Sequence, residues 1–173
     1  SIIKEKNDIN LEKIFFRLKS ENNNLLKIDI EGNEYEIIDK IIEFQSSIEM
    51  LIVEFHWINK NKTLFKNSIK QLKEKFEIIR LKDWVSTSTR TFKNKNYCCI
   101  TFDDGWLDNY QYALPILVKH NVPITLFCVS EMIESGLDFW PGRLASYVRQ
   151  SVGTGRWPGC LDDLPWLNAV VLD

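Results

Sequence analysis

Two adjacent carboxylates and a glycine, Asp103-Asp104-Gly105, close an apolar run from Tyr97 to Phe102. The run is rich in β-forming residues and reads as a strand. Beyond it, Tyr110, Ala113, Leu114, Leu117 and Val118 recur at helical spacing. A strand that ends in acids and then feeds a helix is the edge at which α/β proteins build their sites. Neighbouring like charges repel. The pair is tolerable where one acid binds a cation and the other uses its ionised form as a base. A solvated turn is the competing reading, because Asp-Gly is a common turn pair.

A second acidic edge lies upstream, in Ile28-Asp29-Ile30-Glu31-Gly32. The spacing predicts a helix over residues 9–18, a strand over 25–30 and a helix over 34–44 that buries Ile37, Ile38, Ile41 and Ile42. A strand over 48–55, a helix over 62–75 and a strand over 76–81 follow. This α-β-α-β-α-β alternation is that of an α/β sheet, where ligands bind at the carboxyl ends of strands. Asp29 and Glu31 are therefore candidate substrate-binding residues. Capping and first-turn stabilisation of the next helix account equally well for Asp29, Glu31 and Glu34.

The 173 residues allow one ordinary domain or two small ones, and 45% hydrophobic content is enough for a core. A net charge of −2 gives no case for nucleic acid or an anionic membrane surface. The longest apolar runs have strand length, so none spans a bilayer, and no segment reads as a signal peptide. The expected location is cytoplasmic. Cys98, Cys99, Cys128 and Cys160 form no C-x-x-C pair and are expected to be free thiols, the first three of them buried in strand-like segments. Residues 82–96, polar and without apolar periodicity, read as a linker. Every lysine lies at or before Lys119, and residues 151–173 have a different, Gly/Pro/Trp-rich texture.

The run Ile100-Thr-Phe-Asp-Asp-Gly-Trp-Leu-Asp-Asn-Tyr110, with Ala113-Leu-Pro-Ile-Leu117 and Val122-Pro-Ile-Thr-Leu-Phe127, resembles the opening of the polysaccharide deacetylase (NodB-homology, carbohydrate esterase family 4) domain. The resemblance covers about residues 97–150 and includes Asp138-Phe-Trp140 and Arg143-Leu-Ala145. It implies the first strands and helices of a (β/α) barrel, a glycan substrate and hydrolysis of a non-peptide carbon–nitrogen bond. It also implies Asp103 as catalytic base and Asp104 as ligand of a divalent metal, usually zinc. The family completes that metal site with two histidines of a His-Ser/Thr-x-x-His motif. Here the two histidines are His56 and His120, and neither lies in such a motif. His120 reads as a helix-end residue, and His56 precedes the whole segment.

Leu26-Lys-Ile-Asp-Ile-Glu-Gly-Asn-Glu-Tyr-Glu36, followed by Met50-Leu-Ile-Val-Glu-Phe55, resembles the C-terminal half of FkbM-type methyltransferases over about residues 9–81. The glycine-rich turn that would hold S-adenosylmethionine belongs to the other half, and no G-x-G precedes Leu25. The expected fold is thus a partial Rossmann-like methyltransferase module (1–82), a linker (83–96) and a deacetylase-like part (97–173), on separate or weakly joined sheets. The expected function is metal-dependent glycan deacetylation, with this chain an incomplete fragment inactive alone. The alternatives are an S-adenosylmethionine-dependent methyltransferase fragment acting on sugars and a non-catalytic α/β fragment.

Overall fold

The computed structural model describes residues 24–86 and 95–136, together with 13–14, 141–144, 146 and 149. The chain forms two compact units, residues 1–128 and 129–173. In the first unit the described elements are β1 (Asn24–Ile28), α1 (Glu34–Glu43), β2 (Ile48–Glu54), α2 (Ile58–Lys75), β3 (Glu77–Ile78), α3 (Leu81–Ser86), β4 (Tyr97–Phe102), a π-helical turn (Asn109–Ala113), α4 (Leu114–His120) and β5 (Thr125–Leu126). The described part of the second unit includes α5 (Ser130–Ser135), which stops at Gly136 with a left-handed backbone.

The five strands form one parallel sheet. β2 sits between β1 and β4, and the other edge of β4 pairs with β3 along its first two residues and with β5 along its last two. The α/β class and the main elements follow the sequence pattern closely. The expectation of separate sheets is corrected, because β2 pairs with β4 from Met50↔Tyr97 to Glu54↔Thr101. Both strands are apolar on both faces, so each needs a neighbour on either edge and a cover on either side.

Register decides which side chains share a face, since it alternates with period two. Ile28, Val53 and Ile100 lie in one row, with Leu51, Phe55, Cys98 and Phe102 on the same side. That face is buried under Ile38 and Ile41 of α1, Phe65, Ile69 and Leu72 of α2, and Ala113 and Leu117 near α4. Each such buried aliphatic or aromatic side chain contributes about 1.5–3 kcal/mol. The opposite face carries Met50, Tyr97 and Cys99, packed with Ile52, Ile79, Leu81 and Trp84. Moving along the strands on that second face leads to Glu54, Thr101 and the acids beyond the strand ends.

The linker reading is also corrected in part. Lys82–Ser86 belong to α3, and the Trp84 ring packs 5.7 Å from that of Tyr97. A helix of 6 residues is too short to show apolar periodicity, so composition misled there. Residues 87–94 lie outside the described set, as do 137–140, 151–173 and all but Lys13 and Ile14 of the helix expected over 9–18. α2 starts at Ile58, four residues before the expected Lys62, because a kink at Asn61 separates its first turn from the regular part. Cys98 and Cys99 are free and buried as expected, and burial pushes both thiols up, Cys99 to about 11. Cys128 is free but exposed, since β5 ends two residues before it.

Candidate functional site

The C-terminal ends of β1, β2 and β4 meet a cavity of about 500 Å3. Its walls include Phe55, Trp57, Phe102 and Trp106, and its polar lining includes Glu31, His56, Asp103 and Asp104. Asp103 and Asp104, both half-buried, follow β4 directly, at the strand end where the sequence places them. Gly105 N–H donates to the Asp103 carbonyl at 2.6 Å, closing a tight turn in which Asp104 and Gly105 have φ of 57° and 73°.

Three non-glycine residues with left-handed backbone line this one cavity: Glu31 (φ 54°), Trp57 (φ 53°) and Asp104 (φ 57°). Each such residue costs on the order of 1–3 kcal/mol, and strain of this kind collects at functional sites. Each begins the departure of the chain from one of the three strand ends. Gly32 completes the first turn at φ 104°, and a Cβ there would stand 2.4 Å from Trp57 Cδ1. Trp57 Nε1–H in turn donates to the Glu31 carbonyl at 3.2 Å. The β1 and β2 ends are therefore locked together by backbone and indole.

Below the cavity rim lies a dense polar cluster. Glu34, the first residue of α1, is fully buried. Its Oε1 accepts from Ile30 N–H at 3.3 Å and Gly32 N–H at 3.0 Å, and stands 2.8 Å from His56 Nδ1. This is a helix-start acid of the kind the sequence suggested, and it also orients an imidazole. His56 Nε2 then faces Glu54 Oε1 at 3.4 Å, Glu31 Oε2 at 3.8 Å and Asp29 Oδ1 at 3.9 Å. Tyr35 O–H donates to the His56 carbonyl at 2.6 Å, fixing its backbone. Lys27 Nζ approaches the other carboxylate oxygens, Asp29 Oδ2 at 2.9 Å and Glu54 Oε2 at 3.7 Å.

These neighbours set the charges. Burial opposes the charged form of His56, but the hydrogen bond and charge of Glu34, then Glu31 and Glu54, outweigh it and raise its pKa. Glu54 is pushed up to about 7 by burial, by a side-chain hydrogen bond with Asp103, and by the charges of Asp103 and Asp29. Burial and the neighbouring acids thus make Glu54 harder to ionise than an ordinary carboxylate. The acid pair expected at one strand end is accompanied by a third acid, Glu54, from another strand.

The sequence-derived candidates Asp29, Glu31, Asp103 and Asp104 all come to this edge. Reading the chain in sequence order missed Glu54 and His56. Their signal was present in Glu54-Phe55-His56, two polar residues at strand spacing just where an apolar run stops. His120 ends α4, as expected, with its Nε2 buried and unpartnered.

The metal implied by the deacetylase resemblance needs two imidazoles beside Asp104. Among the described residues, the side chains gathered closely enough to hold an ion are instead Asp29, Glu54 and His56, with ligand atoms within 4.8 Å of one another. The residues around Asp104 therefore do not fit the family's metal.

Fold and edge together define a parallel α/β unit with an acidic, aromatic-walled cavity at its strand ends. The polysaccharide deacetylase family model matches residues 91–157, the stretch that holds β4 and Asp103-Asp104. A Bacillus subtilis (strain 168) protein named "Putative polysaccharide deacetylase YxkH" is 50% identical over 34 residues, which is 20% of this chain. The match spans 12% of that relative's length. No solved structure matches.

Proposed function

We propose that this chain is part of a metal-dependent polysaccharide deacetylase that hydrolyses N-acetyl groups of an amino-sugar polymer, with Asp103 as base. The observation that carries this reading is the position of Asp103 and Asp104 at the end of β4, facing an aromatic-walled cavity, inside the segment that the family model matches. Trp57 and Trp106 are 51% and 44% exposed at that cavity, and their flat faces suit the apolar face of a pyranose ring.

In the reaction, Asp103 takes a proton from water while the water oxygen attacks the amide carbonyl. The carbon–nitrogen bond then breaks as protonated Asp103 returns its proton to the leaving nitrogen, giving the free amine and acetic acid, which ionises to acetate. Glu54, paired in register with Thr101, stands on the same face as Asp103 at this edge. Asp104 would supply one of the ligands that the family's metal requires, and among the described residues no imidazole stands beside it to complete the set. The chain by itself is therefore expected to release no acetate.

The test is acetate release from acetylated chitooligosaccharides by this chain and by a parent protein that carries a downstream His-Ser/Thr-x-x-His motif. Turnover is expected in the parent, reduced about 10²–10⁴-fold by Asp103→Asn. A fully active Asp103→Asn parent would overturn the reading.

A second reading, an FkbM-type methyltransferase half acting on sugars, has the parallel β1-α1-β2-α2 arrangement with Asp29 and Glu31 at the β1 end in its favour. It would need S-adenosylmethionine bound by a further half.

A further inference from the structure

We infer that Asp29, Glu54 and His56 form a divalent transition-metal site of their own, at the ends of β1 and β2. This inference stands apart from the deacetylase reading, which assigns its metal to Asp104.

Convergence of donors is the first argument. Zinc binds imidazole nitrogen and carboxylate oxygen at about 2.0–2.2 Å, so two ligands of a tetrahedral centre lie about 3.4 Å apart. His56 Nε2 and Glu54 Oε1 are 3.4 Å apart, and His56 Nε2 and Asp29 Oδ1 are 3.9 Å apart. Lys27 does not occupy this set. It engages Oδ2 of Asp29 and Oε2 of Glu54, leaving Oδ1 and Oε1 turned toward the imidazole. One nitrogen and two oxygens suit zinc or manganese better than calcium, which takes six to eight oxygens.

A second argument comes from behind the ring. A ligating histidine usually donates its other N–H to a carboxylate, which fixes the tautomer and aims the free nitrogen at the metal. Glu34 meets that description: it is fully buried, with Oε1 2.8 Å from His56 Nδ1. Two backbone N–H groups hold the same oxygen, while Oε2 is buried without a hydrogen-bond partner. A helix needs a first-turn acid at its surface. It does not need one buried against an imidazole that faces two further carboxylates.

His56 also lines the cavity, so three protein ligands would leave a fourth position for water or a substrate oxygen. Glu54 pairs in register with Thr101, two residues before Asp103 on the same face, so an ion here would stand near the proposed base.

The test is zinc binding by the full chain, measured by isothermal titration calorimetry and repeated with manganese and calcium. One equivalent of zinc should bind, with calcium far weaker. His56→Ala and Asp29→Asn should each weaken zinc at least about 100-fold, and Glu34→Gln about 10–100-fold. Asp104→Ala should leave zinc affinity unchanged. Asp29 is exposed, so its variant guards against a His56→Ala protein that does not fold, and circular dichroism checks each. Absence of stoichiometric zinc, or zinc lost in Asp104→Ala but kept in Asp29→Asn, would overturn the inference.

Discussion

The ends of β2 and β4 face one cavity, yet they are built differently. The β4 end is two half-buried acids and a glycine in a tight turn, and it lies in the stretch that the polysaccharide deacetylase family model matches. At the β2 end, Glu54 and His56 are held by Glu34, Tyr35 and Lys27 through contacts that reach back to β1 and α1. The β4 motif has the proposed base but no imidazole beside it, whereas the β2 end has an oriented imidazole and several carboxylates. A motif names a chemistry, and the register of the neighbouring strands decides which groups are at hand to perform it.

Backbone substitutions should separate the two ends most strongly. Gly32→Ala places a Cβ at φ 104° and 2.4 Å from Trp57, so it should destabilise the unit on the order of 2–5 kcal/mol. Gly105→Ala, at φ 73° with Cys128 Sγ 3.4 Å away, should cost about 1–2 kcal/mol. Urea denaturation of both variants measures the difference. Equal losses would mean that the two turns are alike after all.

A smaller effect should appear in the pH dependence of stability. The folded-state pKa of Glu54, about 7, lies above the usual 4.5, so the folded state keeps a proton that the unfolded chain releases. Stability should therefore fall as pH rises through that window. His56, also raised, adds stability below about 6.5 that is lost as pH rises through its folded value. Both slopes have the same sign. Glu54→Gln removes the first and weakens the second, so the denaturation midpoint should vary less between about pH 4.5 and 7. An unchanged slope would show that the pKa of Glu54 is not raised in the folded state.

The smallest effect belongs to the β4 turn. Asp104→Asn should change stability by less than about 0.5 kcal/mol, because asparagine tolerates the left-handed backbone found there. A loss several times larger in a thermal melt would mean that the Asp104 charge holds the turn.

Much of this was legible in the chain. Period-two and helical spacing set β1, α1, β2, α2 and β4 to within a few residues, and the Asp-Asp-Gly turn announced its edge. Pairing across the polar stretch between Leu81 and Tyr97 was not legible, because nothing local in β2 states that its free edge belongs to β4. The role of His56 was hidden for the same reason. A histidine 47 residues before Asp103 in sequence shares its cavity only once that pairing exists. Glu34 was read as a helix-start acid, and its second contact, to His56, depends on the β1–β2 register.

The central claim is that both parts of the chain build one glycan-facing cavity. It is tested most directly by the indole N–H signals of Trp57 and Trp106 in a 1H–15N spectrum, assigned with Trp→Phe variants, during titration with an N-acetylchitooligosaccharide. Both signals should shift together and saturate with a single dissociation constant. A saturating shift at Trp106 with Trp57 unmoved, or no shift at either, would contradict it.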